Sequence, residues 1–301
     1  MAGIESKYIW HNGKFVEWDT CQEHNVMHWL HYGTSVFEWI RFYETPNGVK
    51  IFRLREHIER LFLSASVLDV QLEYTIDEVI DICIELIKKN ELKSGYIRPI
   101  VYYGYKKMWL DPIGAEVNFS ISAWVWGKYL SDKPVKVWIS KYKRLHPETA
   151  EMAAKVWWYY FNSVLAHRDI AKKWFQEALL LDCNGNIAEW PWENIFFVKE
   201  NTLYTPSVWN ILPWITRDSI IKIAYQELGI KTIETQIPKD EFKNFDEAFF
   251  TWTAAEVTTI DSITDIDWII KQYQQNLWLK LKDIYSKIVT GQIDNYKDWL
   301  Y

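Results

Sequence analysis

The amino-acid sequence predicts an α+β protein of two domains, with mixed sheets and flanking helices in each. Three observations lead there. The chain has 301 residues, whereas single domains usually run about 100–200. Segments with the two-residue alternation of strands are interleaved with segments of helical spacing along the whole chain. A polar, proline-terminated stretch at 130–134 reads as a linker, because a proline holds the residue before it in extended backbone. The predicted domains are therefore a smaller one at 1–129 and a larger one at 135–301.

Taken in order, residues 8–10 and 14–18 flank His11-Asn12-Gly13, and an Asn-Gly pair supplies the positive φ that a tight hairpin turn needs. Residues 35–43 and 49–52 flank a second turn at Pro46-Asn47-Gly48. Apolar residues at helical spacing predict a helix over 54–68, and Thr75-Ile76-Asp77-Glu78 is a capping box that opens a helix ending near Asn90. Residues 96–105 and 116–126 return to strand, being rich in aromatic and β-branched residues. Beyond the linker, strands are expected at 135–142, 178–182, 194–198, 231–236 and 247–251. Helices are expected at 160–173, 217–228 and 277–289.

Composition narrows the function classes. With 49% apolar residues, 25% charged residues and a formal charge of -6, the chain reads as a soluble globular protein. The dispersed basic residues form no stripe of the kind nucleic acid requires, and the first ten residues lack a signal peptide's apolar stretch. No nucleic-acid or membrane partner is expected, and the location expected is cytoplasmic. Cys21, Cys83 and Cys183 are an odd, scattered set, so reduced thiols are expected rather than a disulfide framework or a metal site. One imbalance stands out. A usual glycine share of about 7% predicts about 21 glycines, whereas the chain has 11, and its 19 tryptophans outnumber its 14 phenylalanines.

Four local features carry chemistry. Lys155 lies in Met152-Ala153-Ala154-Lys155-Val156-Trp157-Trp158, where desolvation would make its amine a usable nucleophile; a lysine that snorkels to solvent is the competing reading. Glu189 and Glu193 bracket a turn between two expected strands, suited to holding a protonated ring nitrogen or simply solvated. Thr216 stands just before the expected helix at 217, so it marks either an anion site or a plain N-cap. Tyr96 and Arg98 share a strand face, where they could read a carboxylate or make a surface ion pair.

Read in order, His31-Tyr32-Gly33-Thr34-Ser35-Val36-Phe37-Glu38, Phe52-Arg53-Leu54-Arg55-Glu56-His57 through Arg60-Leu61, Tyr96-Ile97-Arg98-Pro99, Ala154-Lys155, Glu189 through Asn194, Leu212-Pro213, Ile215-Thr216-Arg217-Asp218 and Thr253-Ala254-Ala255-Glu256 resemble the fold-type-IV pyridoxal-phosphate (PLP) enzymes. Among these the sequence is most similar to the branched-chain amino-acid aminotransferases. The resemblance covers nearly the whole chain and implies the two-domain architecture of that family. It implies that Lys155 carries the cofactor, Glu189 pairs with its ring nitrogen and Tyr160 with its ring hydroxyl. Leu212 would pack on the ring, and Arg60, Ile215, Thr216 and Thr253 would hold the phosphate. It also implies that Ala254 and Tyr96 receive the substrate's α-carboxylate, that Arg98 receives glutamate's side chain, and that Tyr32 of a second subunit and Tyr129 line the apolar pocket. The expected reaction is ping-pong transfer of the amino group from leucine, isoleucine or valine to 2-oxoglutarate, by a homodimer or an assembly of dimers. A D-amino-acid aminotransferase or an aminodeoxychorismate lyase of the same fold is the alternative, as is a non-catalytic relative.

The resemblance also explains the imbalance. The family carries glycine where this chain has Trp39, Trp157, Trp158, Trp190, Trp192, Trp214 and Trp252, and Trp29, Trp109, Trp174 and Trp268 are candidates for the same set. Glycine serves where φ is positive or a ligand approaches the backbone. An indole at such a place overfills it, at a cost of about 1–3 kcal/mol for each unrelieved site, so a catalytically impaired relative is the further alternative.

Overall fold

The computed structural model describes residues 4–127, 133–189, 193–208, 211–254 and 256–301. The chain forms two compact units, the first comprising residues 1–127, 154–158 and 288–301, the second 128–153 and 159–287. The expected linker at 130–134 lies largely outside the described residues. Sequence order alone puts Lys155 with the later domain, but the segment 154–158 folds with the first unit. Val156 bridges Val36, and the Lys155 carbonyl accepts from Phe37 N at 3.2 Å. The C-terminal tail joins the same unit through Ile51 and Tyr301, whose backbones exchange two hydrogen bonds of 3.0 Å.

The first unit runs β1 (Tyr8–His11), β2 (Lys14–Glu17), α1 (His28–Tyr32), β3 (Ser35–Phe37), β4 (Ile40–Thr45), β5 (Gly48–Ile51), α2 (Leu54–Val67), α3 (Ile76–Lys89), β6 (Gly95–Tyr103) and β7 (Val117–Trp124). Its sheet has the order β2-β1-β7-β6-β4-β5, with β3 also paired to β6. The capping box at Thr75 is present: its hydroxyl accepts from Glu78 N, and the Glu78 carboxylate accepts from Thr75 N at 2.7 Å. Two elements depart from expectation. The five-residue α1 is too short to show a helical period in the sequence. The strand expected over 35–43 breaks into β3 and β4 at Glu38 and Trp39, because Glu38 turns into the interior, fully buried.

The second unit runs β8 (Val135–Lys143), α4 (Tyr160–Ala171), β9 (Glu177–Leu181), β10 (Asn186–Ile187), β11 (Asn194–Lys199), β12 (Thr202–Pro206), α5 (Ile215–Leu228), β13 (Thr232–Thr235), β14 (Ile237–Pro238), β15 (Glu247–Trp252), β16 (Glu256–Thr264) and β17 (Ile270–Gln272), and α6 (Leu277–Val289) leads into the tail. Its sheet has the order β13-β12-β11-β15-β16-β8-β9-β10-β14, with β17 on β16. It is mixed: β8 pairs parallel to β9 and β16, whereas β11, β15 and β16 pair antiparallel. The core fills with Val137, Ile139, Leu179, Ile195, Phe197, Phe242, Phe250 and Ile263, none of which is exposed.

Among the described residues, the tryptophans with positive φ are Trp174 (φ 65) and Trp268 (φ 61). A side chain in that region costs about 1–2 kcal/mol. Trp39, Trp157, Trp158, Trp214 and Trp252 are not among the residues with positive φ, so their indoles act through volume and not through backbone strain. Trp174 is 89% exposed, which leaves little packing to lose. Trp174→Gly therefore raises the stability of the chain by about 1 kcal/mol, measured as the shift of a urea unfolding midpoint.

Candidate active site

The candidate residues fall into two sets, one in each unit. In the first, Lys155 is only 1% exposed, which removes the snorkelling reading. Its backbone N–H donates to Ser64 Oγ at 2.9 Å, tying the segment to α2. Its amine lies 4.6 Å from the Trp39 ring centroid and 5.1 Å from that of Phe37, ring faces that attract a cation. Arg60 stands one helical turn before Ser64, on the same face of α2. Its Nε and Nη2 donate to the two oxygens of Glu38 at 2.6 and 2.8 Å, and His57 Nδ1 lies 2.8 Å from Glu38 Oε2. Burial by itself raises a carboxyl's pKa. At Glu38 the Arg60 charge, with hydrogen bonds from Arg60 and His57, outweighs burial and holds the group well below the usual carboxylate range.

Tyr96 and Arg98 follow on β6. The Arg98 guanidinium lies 5.0 Å from the Phe37 ring and 5.1 Å from the Trp39 ring, so Trp39 has two basic side chains beside it, Arg98 and Lys155. Tyr96 packs among Trp39, Trp124 and Trp126. Tyr32, at the end of α1, is 40% exposed, and Gly33 behind it caps the helix at φ 70. A Cβ at Gly33 would stand 2.6 Å from the Trp158 Cβ, so the Trp158 side chain already crowds this turn.

In the second set, Glu189 is buried and both of its oxygens are engaged. Oε1 forms an ion pair with Arg144 Nε at 2.6 Å. Oε2 accepts from the Trp214 indole Nε1–H at 3.1 Å and from Asn194 Nδ2 at 3.5 Å. Arg144 was not legible in the sequence, because it stands far from Glu189 in the chain and in none of the motifs. Nor was Ser64, whose only signal is its spacing of four from Arg60. The solvated-turn reading of Glu189 and Glu193 fails, since both are buried. Glu193 and Glu177 are pushed up in pKa by burial, and for Glu177 by the charge of Glu193 as well.

Helix α5 begins at Ile215, two residues earlier than expected, so Thr216 is inside its first turn and is not the N-cap. The N-cap is Trp214, which makes no side-chain cap. The first backbone N–H groups of a helix point out of it, toward an anion if one binds, and the Ile215 and Thr216 amides are among them. Leu212 is buried nearby in sequence, Tyr160 is the first residue of α4, and Thr253 and Ala254 form the buried turn between β15 and β16. Tyr129, Trp190 and Trp192 lie outside the described residues. Among the described residues, no group of three or more His, Cys, Asp or Glu could hold a metal, and no helix is long and apolar enough to cross a membrane. Cys21, Cys83 and Cys183 are free, and burial pushes the Cys83 thiol up to about 12.

The donor chemistry suits PLP: a buried amine at Lys155, a carboxylate backed by a guanidinium at Glu189, and a helix start carrying a threonine. In each unit an indole already stands on one of these donors. The Trp214 indole Nε1–H donates to Glu189 Oε2, and the Lys155 amine lies over the Trp39 ring.

Residues 35–263 match the family described as amino-transferase class IV. A branched-chain-amino-acid aminotransferase of Pseudomonas aeruginosa is 39% identical over 97% of this chain and 95% of its own length. Among solved structures, a branched-chain aminotransferase of Thermoproteus uzoniensis with norvaline has a TM-score of 0.93 at 33% identity, covering 99% of each chain. A second branched-chain amino acid aminotransferase, from the organism abbreviated T.th. and complexed with N-(5'-phosphopyridoxyl)-L-glutamate, has a TM-score of 0.93 at 36% identity, again over 99% of each chain. With the family match spanning most of its length and such relatives along all of it, the chain belongs to the class IV aminotransferases.

Proposed function

We propose that this protein is a PLP-dependent aminotransferase that passes the amino group of L-leucine, L-isoleucine or L-valine to 2-oxoglutarate. The observation that carries the reading is the end-to-end likeness to enzymes of that name, one of them complexed with a phosphopyridoxyl-glutamate. The positions of Lys155, Glu189 and Thr216 in the fold support it.

When bound, the cofactor supplies an electron sink for the substrate's α-carbon. Lys155 would carry it, Glu189 with Arg144 behind it would face the ring nitrogen, and Tyr160 the ring hydroxyl. Leu212 would pack on the ring, while Arg60, Ile215, Thr216 and Thr253 hold the phosphate. The proposal extends to Tyr96, Arg98 and Ala254 as carboxylate readers and to Tyr129 in the apolar pocket. Tyr32 is proposed to act across a homodimer, supported by the exposed Leu30, Tyr32, Trp109, Leu110 and Ile113 in its unit, a set of apolar side chains that a second copy would cover. A cytoplasmic location is part of the proposal, supported by the three free thiols.

The test is glutamate formation from 2-oxoglutarate at saturating PLP. The three L-amino acids act as donors and D-alanine does not; turnover with D-alanine alone would overturn the reading.

A further inference from the structure

The proposed cofactor site contains a planar aromatic ring system of its own. Trp214 is 3% exposed and sits at the start of α5, two residues before Thr216. Its indole Nε1–H donates to Glu189 Oε2 at 3.1 Å, while Arg144 Nε stands 2.6 Å from Oε1. An indole nitrogen is a donor only. A protonated pyridine nitrogen is a donor as well, so the two compete for the same carboxylate with the same polarity of hydrogen bond. Geometry adds to the competition: both are flat aromatic bodies, and a close-packed interior has no room for two in one seat.

We propose that Trp214 is a built-in competitor for the cofactor, closing the ring-nitrogen seat on Glu189 until its side chain turns away. The inference rests on the reading of Glu189 as the ring-nitrogen partner. Cofactor binding then carries the cost of breaking a charge-assisted hydrogen bond and of moving a buried indole. Loss of one hydrogen bond to a charged group corresponds to an affinity change of about 10- to 100-fold.

The experiment compares the unaltered chain with Trp214→Gly and Trp214→Phe. Equilibrium dialysis measures PLP affinity, absorbance reports the covalent bond to lysine, and circular dichroism confirms that each variant is folded. Trp214→Gly binds PLP about 10- to 100-fold more tightly than the unaltered chain. Trp214→Phe, which keeps bulk but loses the donor, falls between them. In addition, the Trp214 indole N–H of the 15N-labelled unaltered chain exchanges slowly with solvent, and its resonance shifts on Glu189→Gln. If folded Trp214→Gly and Trp214→Phe both bind PLP no better than the unaltered chain, the competitor role is overturned. A solvent-exposed Trp214 indole overturns it too. Lys155→Ala in the Trp214→Gly background separates this from the functional reading. Tighter binding whose covalent absorbance is lost with Lys155 supports both, whereas tighter binding that leaves that absorbance intact keeps the competitor role and overturns Lys155 as the cofactor lysine.

Discussion

Replacing Glu38 with glutamine destabilises the protein by about 3–5 kcal/mol at neutral pH, the usual effect of removing one partner from a buried ion pair. Glu38 is fully buried, and its two oxygens take Arg60 Nε and Nη2 with His57 Nδ1 beside them. Glutamine keeps the shape but leaves the Arg60 charge without its counter-ion in the interior. The pH dependence follows from the depressed Glu38 pKa. A carboxyl held below its unfolded value contributes stability that is full above about pH 4.3 and is lost as pH falls through the folded value. The difference between the two proteins is therefore largest near neutrality and narrows in acid. Burial also lowers the pKa of His57, so the imidazole does not readily take up a proton to compensate. Urea unfolding at several pH values measures the difference; a pH-independent change below about 0.5 kcal/mol would mean that the triad contributes nothing.

The second large effect is on the reactivity of Lys155. Its amine lies against the Trp39 and Phe37 rings and the residue is 1% exposed, so reagents reach it only when those rings move. Trp39→Gly removes the closer ring. Reductive methylation of Lys155, followed by peptide mass spectrometry, is expected to speed up at least about tenfold, equivalent to about 1.4 kcal/mol of opening free energy. Exposed Lys93 and Lys141 serve as internal standards whose rates stay unchanged, since both already stand in solvent. Equal labelling of Lys155 with and without Trp39 would show that the indole is not what shields it.

Local signals carried much of the fold into view before the structure did. The capping box at Thr75, the Asn-Gly turn after β1 and the spacing of α2, α3 and α6 depend on residues close in sequence, and each element appears within a few residues of its expected place. The break between β3 and β4 does not depend on neighbours. The alternating pattern runs on through Trp39, and only the pull of Glu38 toward Arg60, a helix away in sequence, interrupts it. The same reason hid Arg144, whose partner Glu189 is brought to it by the sheet that joins β8 to β9. Helix α5 starts before its expected place: Thr216 is a favoured N-cap residue, yet the helix begins from Trp214, which makes no side-chain cap.

The candidate site was legible in parts for the same physical reason. Ordered motifs singled out Lys155, Glu189 and Thr216, and their identities announce an amine, a carboxylate and a hydroxyl near a helix start. What packs around each of them depends on rotamers. At a glycine position a tryptophan can strain the backbone, where φ is positive, or fill space that a ligand needs. The structure separates these effects: strain falls on exposed Trp174 and Trp268, while Trp39 and Trp214 occupy room beside Lys155 and Glu189.

The most direct measurement is borohydride reduction after incubation with PLP, followed by peptide mapping, on the unaltered chain and on the Trp39→Gly, Trp214→Gly double variant. The predicted result is a phosphopyridoxyl group on Lys155 in the double variant, at higher occupancy than in the unaltered chain. Phosphopyridoxyl groups scattered over exposed lysines, with Lys155 unmodified in both proteins, would contradict the assignment of Lys155 as the cofactor lysine.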